Sequence, residues 1–108
     1  MGYDANFIEN EPLRATVDAL EGATLLEFGA PWCEHCNFTQ PLIATAFASH
    51  PQVRHLRVED GAGRPLGRSF RVKLWPTLVF LWQGKEMLRL VRPLDAEAIV
   101  QALQQIDL

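Results

Sequence analysis

The sequence predicts an α/β fold, with a central mixed β-sheet flanked by helices on both faces. Three observations predict it. Short apolar runs alternate with helical patterns from the N-terminus to about residue 75. Two later runs are joined only by Gln83-Gly84, which reads as a hairpin. The chain has 108 residues, 48% of them hydrophobic, which suits one domain with a buried core and no need of covalent staples. Alternation implies parallel strands joined by helical crossovers, and the hairpin adds an antiparallel pair, so the sheet is mixed.

Glu11 to Leu20 is expected to form a short amphipathic helix with Leu13, Val17 and Leu20 on one face, ended by Glu21-Gly22. Thr24 to Phe28 (TLLEF) is apolar except for Glu27 and reads as a buried strand. A helix starts at Cys33, with Phe38, Leu42, Ile43, Ala46 and Phe47 at helical spacing, and His50-Pro51 closes it. Pro41 lies inside that pattern and has no N–H to donate. Val53 to Val58 has the length and branching of a strand, and Arg64-Pro65 opens a short helix to Phe70. Thr77 to Trp82 and Lys85 to Val91 are the arms of the hairpin. The last helix begins at Asp95, a good N-cap, with Leu94 and Ile99 spaced as a hydrophobic staple and Ile99, Leu103 and Ile106 forming its stripe.

Composition narrows the function. A net charge of −3 argues against nucleic acid as the main partner. The first twenty residues carry four acids and no apolar core of a signal peptide, and the longest apolar run, Leu78 to Trp82, is far too short for a bilayer. The expected setting is cytoplasmic, without a membrane partner. Arg64, Arg68 and Arg71 are expected on one face of the short helix, where they are either solvated or able to meet an acidic partner.

The two cysteines stand in Ala30-Pro31-Trp32-Cys33-Glu34-His35-Cys36. As a structural disulfide they would close a tiny loop, for about 2 kcal/mol against about 5 for a long one. As zinc ligands they match a finger, since Cys33-x2-Cys36 is followed after thirteen residues by His50-x4-His55. The context opposes that reading: the cysteines open a helix, and Pro51 separates two histidines that are expected to be solvated. As a redox pair they fit best. A strand precedes them and a helix follows, so unpaired N–H groups and the helix dipole stabilise a thiolate at the first cysteine. The second lies one turn on, within reach of the first.

Phe28-Gly29-Ala30-Pro31-Trp32-Cys33 resembles the Phe-Trp-Ala-x-Trp-Cys of the thioredoxin family. Pro41 stands five residues past the second cysteine, where that family has its helix proline. Trp75-Pro76-Thr77 resembles the family's cis-proline segment, Leu66, Phe70 and Val72 match the apolar positions before it, and Gly84 matches the hairpin glycine. The likeness runs from about Leu25 to Ile106 and implies the thioredoxin fold.

The resemblance also implies roles. Cys33 would be the exposed nucleophile and Cys36 the resolving thiol, working as a dithiol–disulfide couple with no cofactor and no metal. Pro76 would be cis and packed against the cysteines, with the backbone of Trp75 pairing with the substrate chain. Glu27 would be a buried acid that deprotonates Cys36, since burial favours the protonated form that a base needs to reach. Its rival roles are an ion pair with Arg57, which stands where the family often has lysine, or a solvent-facing acid. Trp32, Glu34, His35 and Arg57 would tune the couple. His35 favours the thiolate and Glu34 opposes it. These opposed effects place the potential between about −270 and about −180 mV, the thioredoxin and disulfide-isomerase values.

Gly29 replaces the family's first tryptophan, leaving space that Trp75 is expected to fill. Trp75, Val91 and Arg92 would border a substrate groove. The implied activity is that of a monomeric thiol–disulfide oxidoreductase acting on protein disulfides, with a thioredoxin reductase or glutathione as electron donor. The alternatives are a redox-inert adaptor of the same fold and a more oxidising isomerase-like enzyme.

Overall fold

A computed structural model describes every residue from Met1 to Leu108. Its elements are α1 (Arg14–Asp18), β1 (Ala23–Gly29), α2 (Glu34–Phe47), β2 (Arg54–Glu59), α3 (Pro65–Ser69), β3 (Thr77–Trp82), β4 (Lys85–Val91) and α4 (Ala96–Ile106). The sheet runs β2-β1-β3-β4. β1 pairs with β2 in parallel and with β3 antiparallel, and β3 pairs antiparallel with β4, so the expected mixed sheet is present. β1 lies inside the sheet because its residues from Thr24 onward are buried on both faces.

Alternation along β1 distributes its side chains between two apolar layers. Leu25 joins Ile43, Ala46 and Phe47 of α2, Leu78 and Phe80 of β3, and the α4 residues Ile99, Ala102, Leu103 and Ile106. Leu26 and Phe28 join Val17 of α1, Leu66 of α3, Phe70 just past it, Val58, Val79 and Leu81. Helices therefore cover both faces, as alternation of element types requires.

Several local expectations need correction. α1 is five residues long rather than ten, because Pro12 drives Glu11 toward extended backbone and Leu13 becomes an N-cap that is 74% exposed. The buried stripe of α2 is Cys36, Thr39, Ile43, Ala46 and Phe47, whereas Phe38 faces outward. Asp95 caps α4 by accepting the Ala98 N–H at 2.9 Å, yet Leu94 is 82% exposed and forms no staple with Ile99. Arg71 lies beyond α3 in a left-handed conformation, so it does not share a helical face with Arg64 and Arg68.

His50 and His55 are buried, not solvated. His50 Nδ1 lies 2.6 Å from Asp107 Oδ2, tying the end of α4 to the turn after α2, and His55 enters the network described below. The first nine residues, which carry no periodic pattern, lie beside β2. Gly2 donates to Val53 O at 2.9 Å and Ile8 to Arg57 O at 2.8 Å.

The hairpin turn shows what one missing Cβ permits. Gly84 has φ +77°, and a Cβ there would collide with the backbone carbonyl of Asp18. Gly84→Ala combines left-handed strain with a backbone clash, and should lower stability by about 3 kcal/mol in urea unfolding.

Candidate redox-active site

The site is built where β1 meets α2. Cys33 is the N-cap of α2, in extended backbone (φ −82°, ψ 115°), and its Sγ accepts the N–H of Cys36 at 3.2 Å. An N-cap side chain normally accepts from the third helical residue with oxygen, and here sulfur does so. Glu34 and His35 occupy the first two helical positions and are exposed. The hydroxyl of Thr39 donates to His35 O at 2.8 Å, which engages the backbone of His35 and leaves its ring free.

Both cysteines are free thiols, and both are covered. Cys33 is 7% exposed rather than openly accessible, because Ala30, Cys36 and Trp75 pack around it, and Cys36 is 0% exposed. Burial, followed by the hydrogen bond with Cys33, pushes the Cys36 thiol up to about 12. The position a Cβ would take on Gly29 lies 2.6 Å from Cys36 Sγ. The space directly beside Gly29 is thus taken by the Cys36 sulfur.

Glu27 is fully buried and faces the α2 side of the sheet with its partners converging on it. Gln40 Nε2 donates to Oε2 at 2.5 Å and also to Cys36 O at 3.2 Å, so one side chain links the acid to the helix turn holding Cys36. Tyr3 donates to Gln40 Oε1 at 3.0 Å, which orients the amide. His55 Nε2 lies 2.9 Å from Glu27 Oε1, while its Nδ1 accepts the backbone N–H of Asp4 at 2.9 Å. That leaves the proton on Nε2, where a neutral imidazole donates to Glu27. Arg57 Nε stands 3.3 Å from Glu27 Oε2 without hydrogen-bond geometry, so it acts as a neighbouring charge. Its other contacts are Ala5 O at 2.7 Å and the Phe7 ring at 4.1 Å.

Trp75 closes the other side. The Trp75–Pro76 bond is cis, Pro76 is buried, and Trp75 packs on the cysteine cluster. Three contacts hold it: its indole N–H donates to Asp60 Oδ2 at 2.9 Å, its carbonyl accepts from Arg92 Nε at 2.8 Å, and its ring meets Trp32 edge-on at 5.4 Å. Arg92 adopts φ 50°, a conformation that suits glycine, and its N–H donates to Pro76 O at 3.0 Å. Val91 is 46% exposed, and Trp32, next to Cys33 in the chain, is 73% exposed.

Comparison with protein-family models matches residues 5–105 to Thioredoxin. The chain belongs to the thioredoxin family. The structure of thioredoxin 2 from Pseudomonas aeruginosa PAO1 in its reduced form superposes with a TM-score of 0.85, at 50% identity and 95% coverage of each chain. A thioredoxin of Chlamydia trachomatis is 31% identical over 85 residues, covering 78% of this chain and 82% of that one. A protein disulfide-isomerase of Datisca glomerata is 34% identical over 91 residues, which cover 74% of this chain but 18% of the isomerase. Family membership makes this protein a thiol–disulfide oxidoreductase working through its own cysteines.

Sequence reasoning missed Gln40, His55 and Tyr3 as partners of Glu27. A signal was present for one of them: His55 and Arg57 alternate on β2, and Arg57 pairs in register with Glu27, so all three polar side chains share one face. Nothing in the first nine residues announced Tyr3. Removing the imidazole leaves a buried carboxylate oxygen without its donor. His55→Ala should therefore cost about 3 kcal/mol in urea unfolding, and His55→Gln, which keeps an N–H, distinctly less.

Proposed function

We propose that this protein reduces disulfides in other polypeptides, with Cys33 as nucleophile and Cys36 as resolving thiol. The observation that supports this most strongly is the inequality of the pair. Cys33 Sγ sits on the helix N-terminus and keeps a small opening to solvent, whereas Cys36 is sealed with its thiol held protonated. Thiolate is the attacking species, so chemistry starts at Cys33.

The exchange balances in two steps. Cys33 thiolate attacks one sulfur of the client disulfide, forming a mixed disulfide and releasing the other client sulfur as thiolate, which takes a proton from water. Cys36 then loses its proton and attacks Cys33 Sγ. The Cys33–Cys36 bond forms and the Cys33–client bond breaks, the second client sulfur leaves as thiolate and takes a proton from water, and the client departs with two thiols. Two electrons have passed from the dithiol to the client. Glu27, whose charge is felt at the Cys36 thiol, accepts the thiol's proton in the second step by way of water, while Gln40 ties the carboxylate to the backbone carbonyl of Cys36 and His55 and Arg57 orient and balance it.

Trp75, Val91 and Arg92 border the groove that receives the client. Arg92 already donates to the Trp75 carbonyl, so a client strand pairing there shares that oxygen with the guanidinium or displaces it. Glu34 and His35, exposed at the helix start beside Trp32, place the potential between about −270 and about −180 mV. Such a potential allows re-reduction by a thioredoxin reductase or by glutathione. The reading is that of a cytoplasmic monomer, where reducing conditions keep the couple charged with electrons.

Insulin reduction with dithiothreitol as donor tests this. The native protein should turn over, and Cys36→Ser should accumulate a mixed disulfide with insulin that mass spectrometry detects. Cys33→Ser should neither turn over nor trap. Equal trapping by both variants contradicts the assignment of nucleophile, and no turnover by the folded native protein contradicts the reductase reading.

A further inference from the structure

Trp75 belongs to two features at once. It packs on the Cys33 cluster, and it forms one wall of an open groove of about 330 Å³. Arg64, Arg68 and Lys73 also line this groove, together with Val72 and Asp60. A chain seated at Cys33 therefore has the groove beside it, one indole ring away.

The groove opposes the charge of the whole protein. The net charge is −3, yet residues 64–73 carry Arg64, Arg68, Arg71 and Lys73 and no acid. The one carboxylate in the groove is engaged. Asp60 accepts the Trp75 indole N–H at 2.9 Å and lies against Gly67, where a Cβ would collide with it. Arg64 meets Glu59 only at 3.6 Å, and the exposed side chains of Arg68 and Lys73 have neither a hydrogen bond nor an ion pair within the chain. A concave site with free cations and low-dielectric walls concentrates its potential on what enters it.

We propose that this groove binds an acidic stretch of the client polypeptide next to its disulfide, so that Arg68 and Lys73, with Arg64, select clients by the charge flanking the cystine. The proposal rests on the disulfide-reductase reading above. Carboxylates of the client meet the cations while the cystine sulfur reaches Cys33 past Trp75. Recognition of this kind raises the association rate and weakens with salt.

Two synthetic cystine peptides of equal length test it, one flanked by Asp and Glu, the other by Lys. At low salt the native protein should reduce the acidic peptide with a kcat/KM about tenfold higher, and the advantage should shrink several-fold at high ionic strength. Arg68→Glu/Lys73→Glu should abolish or reverse the preference while leaving reduction of the uncharged hydroxyethyl disulfide unchanged. Equal rates on the two peptides, or a preference that survives the double variant, overturn the proposal. Failure on hydroxyethyl disulfide as well would count against the reductase reading instead. The groove is then read directly by the NMR shift of the Trp75 indole with an acidic peptide whose cysteines are serine. A saturable shift lost in the double variant supports the proposal, and no shift, or one unchanged by the substitutions, refutes it.

Discussion

The first turn of an α-helix leaves backbone N–H groups without partners, and in this protein a sulfur satisfies one of them. Cys33 Sγ accepts the N–H of Cys36 from the N-cap position. That contact is one an N-cap side chain makes to the second or third helical residue, so it brings the first sulfur to the backbone of the second cysteine one turn on. It also separates their chemistry. The capping sulfur gains from the positive end of the helix, and the sulfur one turn on is turned inward, where Gly29 leaves room for it against β1.

The remaining structure supports this asymmetry from two sides. Beneath it, the sheet buries Glu27 among Gln40, His55 and Arg57, and Gln40 ties that network to the carbonyl of Cys36. Above it, Trp75 is fixed through its N–H, its carbonyl and its ring by Asp60, Arg92 and Trp32. Asp60 depends in turn on Gly67, whose missing side chain lets α3 approach the carboxylate. Both sulfurs are covered, while the groove bordered by Trp75 is open to solvent.

Much of this was legible in the sequence because it is local. Strands β1 and β3 are continuous apolar runs, α4 announces its start with Asp95, and Cys33-Glu34-His35-Cys36 follows a strand and opens a helix. What escaped depends on partners far along the chain. His55 reads as a surface residue until the register of β1 and β2 sets it beside Glu27, and His50 until the end of α4 brings Asp107 to it. The N-terminal segment is held by isolated bridges to β2 and by Arg57 over Phe7, interactions without any sequence period. Leu94 shows the converse: correct spacing for a staple does not hold a side chain that the chain direction points into solvent.

The central claim is that depth and helix position make two chemically identical thiols unequal. Thiolate absorbance measured against pH in a Cys33→Ser variant tests it most directly, because only Cys36 then ionises as a thiol. Burial penalises the charged form and remains when the Cys33 sulfur is gone, so the thiol should persist as pH rises, with little thiolate at pH 9 and titration displaced above the ordinary cysteine range. Half-titration near the ordinary cysteine value of about 8.5 would show that the fold does not shield Cys36, and would contradict the account.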